Sequence, residues 1–197
     1  MSSTGRAFFH TVGYLMGSES AATQTTKAER ETIRRFAAGR KRGLELGVFE
    51  GVSTVVIAES LAQDGVLTGV DPFIKGRLGI CWGEFIARRN IRRAQLTQKV
   101  NLVKSFSHDA LTLIHGTFDF IFVDGDHSPD GIRRDWQGWS ERVTKGGVML
   151  LHDTQIPAHN PAVASLGSYQ YYQDVIASDE RFEVVAMVES LSVLQRR

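Results

Sequence analysis

Arg42 to Thr54 read RGLELGVFEGVST, and this stretch decides the fold. Gly43-Leu44-Glu45-Leu46 is short and mostly apolar, as a buried strand is. Gly47 and Gly51 bracket a tight turn. Val52 to Leu61 then carries apolar residues at helical spacing until Asp64-Gly65 closes it. A strand, a Gly-rich turn and a helix opening together make a cradle. Glycine lets a ligand approach the backbone, and the free N–H groups of the first helical turn attract an anion. The spacing is Glu-x-Gly-x-x-x-Gly, with Phe49 where a dinucleotide fingerprint has its second glycine. Glycine also serves plain strand–helix connectors, so this turn needs a second signal.

The second signal lies about 20 residues on. Val66 to Val70 is another strand-like run, and it ends at Asp71. A carboxylate at the end of the second strand of an α/β unit accepts both hydroxyls of a ribose. Asp71-Pro72 is also an ordinary turn opener, but two features at matching offsets reinforce each other.

The rest of the chain continues the alternation of strands and helices. Met1 to Thr26 is rich in Ser, Thr, Gly and Ala and reads as a loose arm or a short helix; Lys27 to Ala38 is an amphipathic helix. Residues 1–38 thus form an N-terminal arm and helix, and 39–197 the main part of one domain. Thr23 to Thr26 either reach a ligand or cap that helix. Pro72 to Gly83 is an irregular loop carrying Phe73, Lys75, Arg77 and Trp82, placed to serve as a lid or substrate rim. Glu84 to Gln98 is a helix whose arginines read as a solvated face. Val100 to Phe106 is a strand, Asp109 to His115 a short helix, and Phe118 to Val123 (FDFIFV) a strand for the centre of a parallel sheet. Asp130 to Val143 is a helix whose Trp136 and Trp139 serve the core. Val148 to Leu151 is a fifth strand after Gly146-Gly147. A helix from Tyr169 to Ala177 and two β runs, Phe182 to Val188 and Leu191 to Gln195, complete the chain. The pattern predicts a three-layer α/β/α Rossmann-like sheet, parallel except for its last strand.

In such a sheet, ligands bind outside the carboxyl ends of the strands. Asp124-Gly125-Asp126-His127 follows the apolar FDFIFV run, and His152-Asp153 follows Val148 to Leu151. Carboxylates held close together need a positive charge among them. A divalent cation supplies it, and hard carboxylate oxygens favour magnesium or calcium.

The runs ELGVFEGVST, GVDPF, FDFIFVDGDHSPDGIRRDW and KGGVMLLHDT together resemble the class I S-adenosylmethionine-dependent methyltransferases. The resemblance spans about Glu45 to Thr154 and is nearest to the metal-dependent O-methyltransferases that include macrolide-sugar O-methyltransferases and cephalosporin hydroxylase-like proteins. It implies S-adenosylmethionine as cofactor and a small hydroxylated molecule (sugar, phenol or secondary metabolite) as acceptor. Glu45, Gly47, Gly51 and Ser53 would hold the amino acid end of the cofactor, and Asp71 its ribose. Ser105 and Phe106 would lie at its adenine, and Asp124 beside it. Asp124, His152 and Asp153 match the metal ligands of those relatives, for Mg2+ or another divalent cation. His152 departs from the pattern, because the relatives have a carboxylate there; an imidazole leaves room for a softer metal. His127 stands where the relatives carry a general base, and an imidazole accepts a hydroxyl proton near neutral pH.

Composition bounds these expectations. The chain has 197 residues, 42% hydrophobic and 23% charged, which suits one soluble domain. A net charge of +1 argues against a nucleic-acid surface, and no apolar run suits a membrane or a signal peptide. The single cysteine, Cys81, fits a reducing cytoplasm. The N-terminal arm suits a homodimer. Three rival readings stand: a nicotinamide-dependent oxidoreductase, against which Phe49 counts, a hydroxylase with iron on His127, His152 and a carboxylate, and a non-catalytic S-adenosylmethionine-binding protein.

Overall fold

The structure is a computed structural model that describes residues 3–76 and 79–197. Strands β1 (Arg42–Leu46), β2 (Val66–Asp71), β3 (Val100–Lys104), β4 (Phe118–Val123), β5 (Val143–Leu151), β6 (Phe182–Val188) and β7 (Leu191–Arg196) form one sheet. Their order is β3-β2-β1-β4-β5-β7-β6. Five strands from β3 to β5 pair in parallel, and β7 runs against both its neighbours, β5 and β6. The expected sheet, parallel apart from its last strand, is therefore the observed one.

Helices α1 (Ser3–Met16), α2 (Lys27–Ala37), α3 (Val52–Ser60), α4 (Trp82–Arg93), α5 (Ser107–Leu113), α6 (Pro129–Trp139) and α7 (Gly167–Asp174) flank the sheet. The period-two alternation of β4 divides the core between its two faces. Ile121 and Val123 pack with Trp136 and Trp139 of α6 and Tyr172 of α7. Phe120 and Phe122 point the other way, to Ile33 of α2, Ile57 of α3 and Ile91 of α4. Ile33 and Ala37 are fully buried, so α2 belongs to the packed layer and is not a loose appendage. Among the described residues no helix is long and apolar enough to cross a membrane.

Several boundaries differ from the sequence expectation. Residues 3–16 are a full helix; buried Tyr14 donates its hydroxyl to Asn90 Oδ1 (2.6 Å) and docks α1 on α4. Helix α4 stops at Arg93, just before Gln95, whose φ of +60° ends the turn. Helix α6 stops at Trp139. Val143, read as its last apolar position, instead opens β5 by pairing with Phe118, and a register shift carries the strand past Gly146. Val143 packs against the same cluster as the tryptophans, so periodicity alone could not separate the two roles. Arg77, one of the expected loop cations, lies outside the described residues.

Candidate functional site

Strand order reverses direction between β1 and β4, and the crevice opens at that switch point. A cavity of about 460 Å3 lies there. Its walls are Leu46 to Glu50 and Ser53, Asp71 to Ile74 (Phe73 excepted), Phe106-Ser107, and Asp124 to His127. Ala22, Thr23 and Gln24 close it from the N-terminal side. A second space, bounded by Pro72 to Ile74, Gly76 and Ile80 to Gly83 among others, shares Phe49, Glu50 and Asp71 with it.

The glycine turn is shaped by close approach. Gly47 has φ +94°, and a Cβ there would sit 2.0 Å from the Asp124 carbonyl oxygen. Gly51 caps α3 at φ +78°. Phe49 adopts φ +51°, so the position where a fingerprint glycine was missing still has a left-handed backbone. Asp71 braces it. One carboxylate oxygen accepts from the Val48 and Phe49 amides (3.0 and 2.9 Å), and the other accepts from the Phe73 amide (2.7 Å). A carboxylate has about four acceptor sites, so Asp71 keeps room for a ribose hydroxyl while it holds the turn.

Of the expected cofactor residues, Gly47, Ser53, Asp71, Phe106 and Asp124 line the cavity. Glu45, Gly51 and Ser105 do not. Glu45 is fully buried, and its oxygens accept from Ser53 Oγ and Thr54 Oγ1, both at 2.6 Å. It supports the turn from beneath, because a strand side chain one residue before the turn points into a layer and not out of its end. Gly51 starts α3 and packs on Ala87 of α4, where a Cβ would lie 3.1 Å from the Ala87 Cα. Ser105 donates to the Phe106 carbonyl oxygen (3.0 Å), and Ser107 takes its place on the wall. Phe106 is half exposed and stacks on His108 with centroids 5.6 Å apart, leaving its other face free.

Burial pushes the Glu45 carboxyl up to about 8 from 4.5; the Ser53 and Thr54 hydroxyls oppose the rise, and the charges of Asp124 and Asp71 add to it. The folded chain thus binds this proton more tightly than the unfolded chain. The contribution of Glu45 to stability therefore declines as pH rises from about 4.5 to about 8. Glu45→Gln keeps an acceptor for the two hydroxyls and flattens that decline. Urea midpoints between about pH 5 and pH 9 measure it; a variant with the wild-type slope would mean that Glu45 folds as a carboxylate.

The acidic cluster forms at the ends of β4 and β5. His127 lines the cavity, with Nε2 3.7 Å from Asp124 Oδ1 and Nδ1 3.7 Å from Asp153 Oδ2. Ser168 at the start of α7 pins both neighbours: its amide donates to the His127 carbonyl oxygen and its hydroxyl to that of Asp153 (3.2 and 2.8 Å). Asp153 has φ +53°, a conformation that L side chains rarely adopt. His152 is 5% exposed and stands behind Asp124, off the cavity wall. Its Nδ1 is 3.1 Å from Asp124 Oδ1 and 3.6 Å from Asp153 Oδ1, and its Nε2 is 3.4 Å from Glu29 Oε2. Burial lowers the His152 pKa, but Asp124, Asp153 and Glu29 together outweigh it and raise it to about 12. Burial likewise pushes Glu29 up, and His152, Ser190 and the Thr26 amide bring it down to about 2. Asp153 is also lowered, His152 outweighing its burial.

Two acidic residues were missed in the sequence. Glu29 meets the cluster from α2. Glu50, in the glycine turn, accepts through Oε2 from the Ala22 amide (2.6 Å) and faces His10 Nε2 (3.0 Å), so α1 and the segment over the cavity are tied to that turn. Glu50 stands out as a charge among apolar neighbours, whereas nothing in the charged run around Glu29 sets it apart.

The model of a family described as "Methyltransferase domain" matches residues 44–154, more than half of the chain. The chain belongs to this methyltransferase family. The resemblance to class I S-adenosylmethionine-dependent methyltransferases is therefore borne out. A catechol O-methyltransferase of Niastella koreensis is 30% identical over 120 residues, 59% of this chain and 50% of that protein. The chain thus spans about half the length of that curated relative. Among solved structures, cofactor-bound Rv0187 from MTB has a TM-score of 0.72 at 16% identity, covering 98% of this chain and 90% of the other. The O-methyltransferase from Bacillus cereus in complex with SAH has a TM-score of 0.68 at 20% identity, covering 97% and 91%. These likenesses bear out the fold.

For the methyltransferase family the question is then whether these residues suit a divalent cation. Asp124 Oδ1 and His152 Nδ1 are buried polar atoms without a hydrogen-bond partner, although they are 3.1 Å apart. Their donors, with Asp153 and His127 beside them, are of the oxygen and imidazole types that divalent ions take. Among the described residues no three His, Cys, Asp or Glu groups already form a metal centre. The fit is one of donor chemistry and orphaned atoms, not of a preformed cage.

Proposed function

We propose that this protein is an S-adenosylmethionine-dependent O-methyltransferase acting on a hydroxyl of a small molecule. Asp124, His152 and Asp153 hold a divalent cation, and His127 is the general base. One observation carries the reading. The glycine cradle, the ribose-type carboxylate Asp71, Asp124 and His127 line one switch-point cavity, and Asp153, off its wall, lies 3.7 Å from the His127 ring.

S-adenosylmethionine supplies a sulfonium methyl group, and a bound Mg2+ lowers the pKa of the acceptor hydroxyl and orients its oxygen. The chain does the rest. The Gly47 turn admits the amino acid end of the cofactor close to the backbone, and Asp71 accepts from a ribose hydroxyl. Phe106 offers its free face to the adenine. Ala22 to Gln24 and Ile74 line the rim of the cavity. His127 takes the acceptor proton, and Asp124 and Asp153 on either side orient its ring. Proximity and alignment supply most of the acceleration. A net charge of +1 favours a small acceptor over nucleic acid. Catechol is the first probe, because one relative is named for it.

A second reading has its own support. Both ring nitrogens of His152 face carboxylates, so an imidazolium can neutralise the cluster without a metal. Chelation separates the two. The cation reading expects turnover of S-adenosylmethionine with catechol to fall at least about tenfold after EDTA dialysis and to return with Mg2+. Full turnover after chelation leaves the imidazolium in that role. Calorimetry with S-adenosylmethionine and with NAD tests the reaction class, and binding of NAD alone would overturn it.

A further inference from the structure

We infer that Glu29, on α2, is the outer carboxylate of the cation site: it holds His152 with Nε2 protonated, so that Nδ1 turns a lone pair toward Asp124 and Asp153. This rests on the cation reading above. It also accounts for the departure at position 152, where an imidazole stands in place of a carboxylate. The negative charge lost there returns one layer out, from a different part of the chain.

The geometry has three parts. First, the His152 and Glu29 side chains are 3% and 1% exposed, and Nε2 is within hydrogen-bond distance of Oε2 at 3.4 Å. Second, Glu29 is held from two sides. Its Oε1 accepts from the Ser190 amide and hydroxyl (3.0 and 2.6 Å) in the β6–β7 turn, and its Oε2 accepts from the Thr26 amide (2.8 Å). It cannot swing away without breaking the cap of α2 and the hairpin anchor. Third, Nδ1 and Asp124 Oδ1 are both without a partner. In the metal-free chain a proton on Nδ1 supplies the positive charge at this 3.1 Å approach; a cation held by Asp124 and Asp153 takes that proton's place and leaves Nδ1 as a ligand. A carboxylate that orients a ligating imidazole through its far nitrogen raises the basicity of the near one.

A helix cap alone does not require this arrangement. Thr26 and Glu29 form a capping box, which a glutamine completes equally well. Capping also works at an exposed helix end, whereas Glu29 is buried against the ring, where an uncompensated charge is costly.

Glu29→Gln is therefore the test, since it removes the charge and keeps one acceptor oxygen for the cap; its NH2 then faces the Ser190 amide, so the melting temperature is read beside the Mn2+ affinity. The full chain, freed of metal, is titrated with Mn2+ by calorimetry. The tautomer of His152 is read from imidazole 15N shifts with Mg2+ present. Glu29→Gln is expected to weaken Mn2+ binding by about 10- to 100-fold and to lose the single Nε2–H tautomer. Thr26→Ala removes the cap without touching the ring, and is expected to lower the melting temperature while leaving Mn2+ affinity unchanged. Unchanged Mn2+ binding and tautomer in Glu29→Gln would overturn this inference alone. A wild-type chain that takes up no Mn2+ would overturn the cation reading and this inference with it.

Discussion

His127→Ala lowers the turnover of S-adenosylmethionine with catechol by roughly 100- to 10,000-fold, the usual worth of a positioned general base. Affinity for S-adenosylhomocysteine, measured by calorimetry, stays near the wild-type value. The split follows from position. His127 lines the cavity at the acidic cluster, on the loop after β4, and makes none of the hydrogen bonds that shape the Gly47 turn and Asp71. It sits where a hydroxyl proton must leave, and the cradle for the cofactor does not depend on it. Asp124 and Asp153, each 3.7 Å from a ring nitrogen, hold the imidazole in place at the cavity wall. Turnover that survives the substitution would remove His127 from the reaction and favour a non-catalytic binding role.

Gly47→Ala has the largest structural effect we expect. The new Cβ would stand 2.0 Å from the Asp124 carbonyl oxygen and 2.6 Å from its carbon, both backbone atoms that no rotamer can move. The φ of +94° adds strain of its own. Relief requires β1 and β4 to part where the Asp124 amide donates to the Leu46 carbonyl oxygen (2.8 Å). That bond places Asp124 beside the cradle. The expected cost is about 2 kcal/mol or more in urea unfolding, with loss of measurable S-adenosylhomocysteine binding. Gly146→Ala is the control, because its φ is +74° but nothing lies within 4 Å of its Cβ. It should cost about 1 kcal/mol and leave binding intact. If the two variants behave alike, backbone strain and not close approach explains the glycine at 47.

Much of the site was legible because its residues lie next to strand ends in the sequence. FDFIFV announces a central strand, so Asp124 and His127 after it reach the crevice; VMLL brings Asp153 to the next strand tip, 3.7 Å from the His127 ring but off the cavity wall. Direction was not legible. Glu45, His152 and Ser105 were placed by sequence distance from a strand end, and the structure keeps all three off the cavity wall, because whether a side chain faces the cavity or the layer behind depends on pleat and turn geometry. Glu45 proved to brace the turn through Ser53 and Thr54, and His152 to stand behind Asp124.

The amino-acid sequence by itself determined the layers, the parallel sheet with its reversed last strand, the glycine cradle and the two acidic strand tips, because each depends on periodicity or on neighbours within a few residues. Only the tertiary structure decided which charges meet. Glu29 is 123 residues from His152, and Glu50 is 40 from His10. No local pattern encodes such contacts; they arise when α2 packs on the sheet and α1 docks on α4, and folding brings the ends of separate elements to one place.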